Sequence, residues 1–194
     1  MSKKNAAEFP EDWVSPAFTS QAHDFEFHWV SEAGPSEVSR LTSGISLVPT
    51  DSFATCPHLD IVLNGANNIG YVHSEAELAF TRKAYAEATA FLTICGGMDL
   101  PLKAGVLDGK TATAPRFLLS MLRKDAPGVN WVEKRWHRDG KLWTSGALLN
   151  GTDMMAAFVT EFWGKKEDSL GSLMVKMGGW PARDIEYKDV PWPV

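Results

Sequence analysis

The residue of this sequence best suited to chemistry is a cysteine set between an apolar run and two glycines. Ala90 to Ile94 is apolar and leads straight into Cys95-Gly96-Gly97. The pattern predicts a buried strand, then a tight turn, then a short helix over Met98 to Ala104. A thiol at such a turn faces unpaired backbone N–H groups and a helix N-terminus, both of which stabilise thiolate and lower its pKa. The glycines let the chain turn sharply and let a substrate approach. The same N–H groups can form an oxyanion hole. Free cysteine is also commonly a buried, inert residue, and this context suits that reading too.

A cysteine nucleophile needs a proton-handling partner within hydrogen-bond reach. The histidines are His23, His28, His58, His73 and His137. His28 and His137 fall in predicted strands, His58 and His73 in loops, and His73 follows a strand end. Asp153, near a predicted helix start, reads as a cap or as an acid–base group. Glu26 lies on the polar face of an alternating segment, where solvent exposure competes with a catalytic role. No His or Cys spacing suits a metal, and neither GxGxxG nor GxxxxGK[ST] occurs, so no metal, nucleotide or other cofactor is expected.

The elements that must position Cys95 follow from periodicity. Phe25, Phe27 and Trp29 alternate with Glu26 and His28, predicting a half-buried strand from Phe25 to Val30. Val38 to Val48 reads as a hairpin turning at Ser43-Gly44. Leu59 to Leu63 is a short strand entering the small polar loop Asn64-Gly65-Ala66-Asn67-Asn68. Ser74 with Glu77 forms a capping box for a helix to about Ala88. Thr111 to Thr113 is a very short strand, and Pro115 opens a helix through Arg123. Val129 to His137 alternates, Asp139-Gly140 signals a hairpin turn, and Lys141 to Thr144 returns. A helix carries Met154, Met155, Phe158, Val159 and Phe162 on its apolar side and ends at Gly164. Another covers Ser169 to Met177, and the Pro- and Trp-rich tail is irregular. Strands alternating with helices predict a mostly parallel sheet covered on both faces. Ligands in such sheets bind at the C-terminal strand edges, here Asn64-Gly65 and Cys95-Gly96.

Composition limits the rest. The chain of 194 residues suits one domain, with residues 1–24 as a loosely packed arm and 25–194 as the α/β domain. With 24 acidic and 19 basic residues and no long Lys/Arg run, a nucleic-acid surface is not expected. No apolar run approaches the roughly 18 residues of a membrane span, nor is there an apolar signal core near Met1. A cytoplasmic protein is expected. With 2 cysteines in dissimilar contexts, no disulfide framework is expected either.

From Thr93 to Phe162 the chain resembles the DJ-1/PfpI superfamily (ThiJ, class I glutamine amidotransferase-like), and most closely its isonitrile hydratase branch. Thr93-Ile-Cys95-Gly96-Gly97, Ala104-Gly-Val-Leu-Asp-Gly-Lys-Thr-Ala-Thr113 and Asn130-Trp-Val132 carry the likeness. So do Arg135-Trp136, Asp139-Gly-Lys-Leu-Trp-Thr-Ser-Gly146 and Gly151-Thr-Asp-Met154, with weaker similarity back to Phe25 and forward to Ile185-Glu-Tyr187. The resemblance implies a flavodoxin-like three-layer sandwich, homodimeric, with Cys95 on a nucleophile elbow. Backbone donors at Gly65 and Gly96 would face a substrate pocket lined by Asn64, Asn67, Ala114, Arg116 and Leu148. In the hydratase branch the cysteine adds to an isocyanide carbon, an early-loop carboxylate handles protons, and water yields a formamide. Three departures stand out. Gly96 replaces the threonine usual after the cysteine. Ala114-Pro115-Arg116 lacks the histidine of other branches. The family's first strand and its acidic loop have no counterpart, which leaves residues 1–24, a rearranged sheet or a partner chain to cover the gap.

These readings lead to a cysteine-dependent hydratase or lyase acting on a small, mostly apolar, isocyanide-like electrophile. Cys95 is then the nucleophile, with Glu26, Asp153 or a partner-chain residue moving the proton. The alternatives are a non-catalytic small-molecule-binding or redox-responsive protein and a glyoxalase-like enzyme.

Overall fold

The structure, a computed structural model, describes residues 2–191. Contacts divide the chain into two units, Met1–Phe27 with Met155–Ala182 and His28–Met154 with Arg183–Val194. The polar N-terminal stretch folds into two short helices, α1 (Lys3–Ala7) and α2 (Pro16–Thr19). The Ser2 hydroxyl caps α1 by accepting from the Asn5 amide, and Ser15 does the same for Ala17 in α2. Proline at the first position of α2 costs no hydrogen bond, because that amide has no helical partner. Within the stretch Ala6, Val14 and Ala22 are buried.

The alternating segment departs from its expected form. Phe25 to Trp29 is irregular, and only β1 (Val30–Ser31) is a strand. A hairpin of β2 (Ser39–Arg40) and β3 (Ser46–Leu47) follows, with Gly44 in the left-handed region at φ 81°. Then β4 (Asp51–Ser52) pairs in parallel with β1. Alternation specifies which side chains would share a face, but a strand also needs backbone partners. Backbone pairing with the β4 side reaches back only to Trp29, whose carbonyl accepts from the Thr50 and Asp51 amides, and Phe27 and Trp29 are 74% and 57% exposed.

The larger unit is built on one sheet. Its elements are β5 (Ile61–Asn64), α3 (Glu75–Glu87), β6 (Ala90–Ile94), α4 (Asp99–Lys103), β7 (Thr111–Ala112), α5 (Arg116–Asp125), β8 (Asn130–Trp131), β9 (Trp136–Asp139) and β10 (Leu142–Ser145). Four of these strands form an open sheet in the order β5-β6-β10-β9. β5, β6 and β10 are parallel, and β9 is antiparallel to β10 through the Asp139-Gly140 turn. Short β7 and β8 pair in parallel beside it. Val62, Phe91 and Leu142 stand in register on one face and share a core with Leu78 and Tyr85 of α3 and Leu119 and Leu122 of α5. Each large side chain fully buried there contributes about 1.5–3 kcal/mol. The fold is the expected flavodoxin-like α/β arrangement, an open and largely parallel sheet flanked by helices. Residues 2–24 form helices and turns rather than a strand of this sheet, and among the described residues β5 stands at the sheet edge with Ile61 and Leu63 partly uncovered.

α6 (Asn150–Trp163) begins in the larger unit and ends in the smaller one, and α7 (Leu170–Met177) belongs wholly to the smaller. There Leu170, Leu173 and Met174 of α7 pack with Ala6, Phe18 and Ala22. Gly171 sits where a β-carbon would lie 2.4 Å from the Trp163 carbonyl oxygen, so the approach of α7 to the end of α6 requires glycine. Among the described residues, no helix is long and apolar enough to cross a membrane.

The capping box is formed as its sequence predicts. Ser74 Oγ accepts from the Glu77 amide at 3.1 Å, and Glu77 Oε2 accepts from the Ser74 amide at 2.8 Å. Ser74 also donates to Glu32 at 2.7 Å. Replacing Ser74 with alanine is expected to cost about 1 kcal/mol. Thermal denaturation then shows a midpoint lower by about 2–4 °C.

Candidate active site

The site begins where β6 runs out of sheet. Cys95 has a left-handed backbone, φ 59°, a conformation that costs a non-glycine residue about 1–2 kcal/mol. It starts a tight 3₁₀ turn through Met98 and leads into α4, which is only five residues long. Such strain persists where neighbours fix the chain. Here the neighbour is the end of β5. A β-carbon on Gly97 would lie 2.4 Å from the Asn64 carbonyl oxygen and 2.9 Å from the Gly65 carbonyl carbon. Asn64 Nδ2 donates to the Gly97 carbonyl at 2.5 Å. Asn64 and Gly65 are thereby clamped against the elbow, so the two strand edges singled out from sequence are one place. A β-carbon on Gly96 would meet that of Ala66 at 3.3 Å. Ala66 thus crowds the space where a threonine side chain would begin.

On the other side of β6, β10 ends in register with it, Ser145 beside Ile94. Gly151, in the first turn of α6, presses on Ile94, where an added β-carbon would stand 2.9 Å from Ile94 Cγ2. The irregular tail returns to this end of the sheet. Arg135 donates its backbone N–H to the Ile185 carbonyl at 2.8 Å. Its buried guanidinium donates to the Asp184 carbonyl and, at 2.8 Å, to Asp189. Tyr187, again left-handed at φ 59°, lies with its ring under the guanidiniums of Arg116 and Arg135, 4.7 and 4.9 Å from the centroid. Asn150 Nδ2 donates to the Tyr187 hydroxyl oxygen at 2.8 Å. Burial pushes the Tyr187 phenol up against the opposing pull of Arg135 and Arg116.

The expected site residues divide. Cys95, Gly96, Asn64 and Gly65 are gathered at the elbow. Ala114 is fully buried next to Gly146, and Arg116 pairs with Glu133 at 2.8 Å while lying over Tyr187. Leu148 is 85% exposed with a left-handed backbone, φ 50°, and Asn67 is exposed in its loop. Asp153 gives both carboxylate oxygens to Arg183, one at 3.2 Å to Nε. Glu26 belongs to the irregular stretch of the smaller unit. The histidines meet other partners. His28 faces Asp51 at 2.7 Å, His73 faces Asp99 at 3.1 Å, and His58 lies 3.4 Å from the Glu87 carbonyl. His137 sits in β9, where burial, then Lys134, lowers its pKa. Asn150, Arg135, Gly146 and Tyr187 were not anticipated. The sequence signals touching them were the matches at Arg135-Trp136, Asp139 to Gly146 and Ile185-Glu-Tyr187, none of which assigned them a role. Among the described residues no His, Cys, Asp and Glu cluster could hold a metal.

Residues 10–161 match the model of the DJ-1/PfpI family. An isonitrile hydratase from Pseudomonas putida is 32% identical over 153 residues, 76% of this chain and 65% of that protein. The chain therefore spans just under two thirds of that relative. Among solved structures, a THiJ/PfpI family protein from Pseudomonas syringae gives a TM-score of 0.62 at 20% identity, covering 87% of this chain and 68% of the other. An AraC family transcriptional regulator from Pseudomonas putida gives 0.66 at 19% identity, covering 92% of each. At these identities the structural likeness is one of fold.

Two outcomes test the geometry. Gly97→Ala forces Asn64 off the elbow and is expected to destabilise the fold by about 1–3 kcal/mol in denaturant titration. The second concerns pH. The hydrogen bond from Arg135 holds the Asp189 carboxyl below its ordinary value of 3.8. The stability this pair lends the tail is complete above that value and fades as pH falls through the lower native one. The protection of residues 183–189 against hydrogen exchange, taken relative to the intrinsic rate at each pH, should therefore fall on acidification below about pH 4, and Asp189→Asn should remove that dependence.

Proposed function

The chain belongs to the DJ-1/PfpI family, and on that premise we propose that it is a cysteine-dependent hydratase of small, mostly apolar isocyanides. The observation that carries the reading is the left-handed Cys95 at the end of β6, φ 59°, which takes the thiol out of the strand and into the turn. The 32% identity to an isonitrile hydratase supports the choice of substrate class.

In the proposed reaction the Cys95 sulfur bonds to the terminal isocyanide carbon, and that carbon takes up a proton, giving a thioimidate. Water then adds to the same carbon while the nitrogen gains a proton. The carbon–sulfur bond breaks, the thiol is regenerated and an N-substituted formamide leaves. The net change is the addition of one water. Gly65 and Gly96 supply backbone N–H groups to the bound substrate, and Asn64 holds the turn in place. Asp153, which α6 brings to the larger unit, is spent on Arg183, so proton transfer by this carboxylate requires that pair to open.

A first test is selectivity of labelling. Burial, and then the charge of Asp51, push the Cys56 thiol up. Iodoacetamide near pH 7 is therefore expected to modify Cys95 before Cys56, read by peptide mass mapping. The decisive test is turnover of cyclohexyl isocyanide, followed as N-cyclohexylformamide by NMR. Wild type and Cys56→Ala should form product, and Cys95→Ala should fall to the uncatalysed background. Saturable binding with no product in any of the three would replace this reading with that of a small-molecule binder.

A further inference from the structure

The Tyr187 hydroxyl lies at the end of β10, the strand paired with β6. Gly146 follows β10 as Cys95 follows β6, and the last residues of the two strands, Ser145 and Ile94, stand in register. Adjacent strands are about 4.8 Å apart. Gly146 is buried, and the place of its missing β-carbon lies 2.9 Å from the Tyr187 hydroxyl, 2.7 Å from Asn150 Nδ2 and 3.6 Å from the Ala114 carbonyl oxygen. The absence of a side chain there is what admits the phenol to the strand end.

The hydrogen bonds fix what the phenol can do. Asn150 donates to the Tyr187 oxygen at 2.8 Å, which occupies an acceptor position and turns the O–H proton elsewhere. Two guanidiniums lie over the ring. Cations so placed strengthen the phenol as a hydrogen-bond donor, while burial keeps its proton on at neutral pH. Arg135 holds the backbone around it from both sides, through Ile185 and Asp184 before it and Asp189 after it. This bracing explains how a tyrosine stays in the left-handed region.

We propose that Tyr187 is a catalytic residue, the donor to the nitrogen of the adduct formed on Cys95. The proposal rests on the reading of Cys95 as the nucleophile. When water adds to the thioimidate carbon, the carbon–nitrogen π pair moves onto nitrogen. The Tyr187 proton passes to that nitrogen, and the phenol recovers a proton from the added water.

The test uses two thiol reagents on the full chain. 2-Cyanopyrimidine takes the sulfur at its nitrile carbon and a proton at its nitrogen, forming a thioimidate with no leaving group. Iodoacetamide takes the sulfur and releases iodide, with no nitrogen to protonate. Tyr187→Phe keeps the ring and its guanidinium contacts. It should slow nitrile addition to Cys95 by about 10²–10³-fold, the cost of removing one donor from a developing anion. Its iodoacetamide rate should stay near that of wild type. A variant that slows both reagents equally, or neither, overturns the role of Tyr187 and leaves Cys95 as nucleophile. A wild-type Cys95 that reacts with neither reagent overturns both readings. Replacement of tyrosine by 3-fluorotyrosine tests the same role without removing the hydroxyl. The high-pH loss of nitrile addition should move to lower pH with the more acidic phenol, and an unmoved profile overturns the proposal.

Discussion

The backbone of β6 is hydrogen-bonded in parallel to β5 on one side and to β10 on the other, and its side chains from Ala90 to Thr93 are fully enclosed. A strand held this way cannot slide or tilt, so the point at which it ends is fixed to within the packing of its neighbours. That point is Ile94. Just past it three parallel strand ends come level. β5 contributes Asn64 and Gly65, β6 contributes Cys95, and β10 contributes Gly146. The thiol's position is thus set by strand pairing, and only its direction is set by the turn.

Glycine does two different jobs at this edge. Gly97 is small because the Asn64 carbonyl presses on it, which locks the turn to the neighbouring strand. Gly146 is small because the Tyr187 hydroxyl and Asn150 occupy the space its side chain would fill. One serves the scaffold and the other makes room for a functional group. In both cases the cost of glycine's backbone freedom is offset by a close approach that no other residue permits.

The parts legible in the sequence were those whose cause is local. The Ser74–Glu77 box, the Asp139-Gly140 turn and the run into Cys95 each depend on residues a few positions apart. Phe25 to Trp29 failed as a strand because alternation carries no information about whether a partner exists. The polar wall around Tyr187 was illegible for a related reason. Arg135 and Asp189 are 54 residues apart, and neither has a local pattern that names the other. The histidines and Asp153 looked eligible by type. Each described partner of theirs, such as Arg183 for Asp153, is set by tertiary contacts the sequence does not display.

The tail latch also has a consequence during synthesis. Cys95 and its three parallel strands are complete once β10 has emerged, but Tyr187 and the residues that bind Arg135 come some forty positions later. At ordinary elongation rates that is an interval of about 2–8 s. Throughout it the elbow exists with its thiol in place and without Tyr187, the proposed proton donor. On the proposed reaction, a nascent chain in this interval can be captured at Cys95 by electrophiles that the finished protein would process and release.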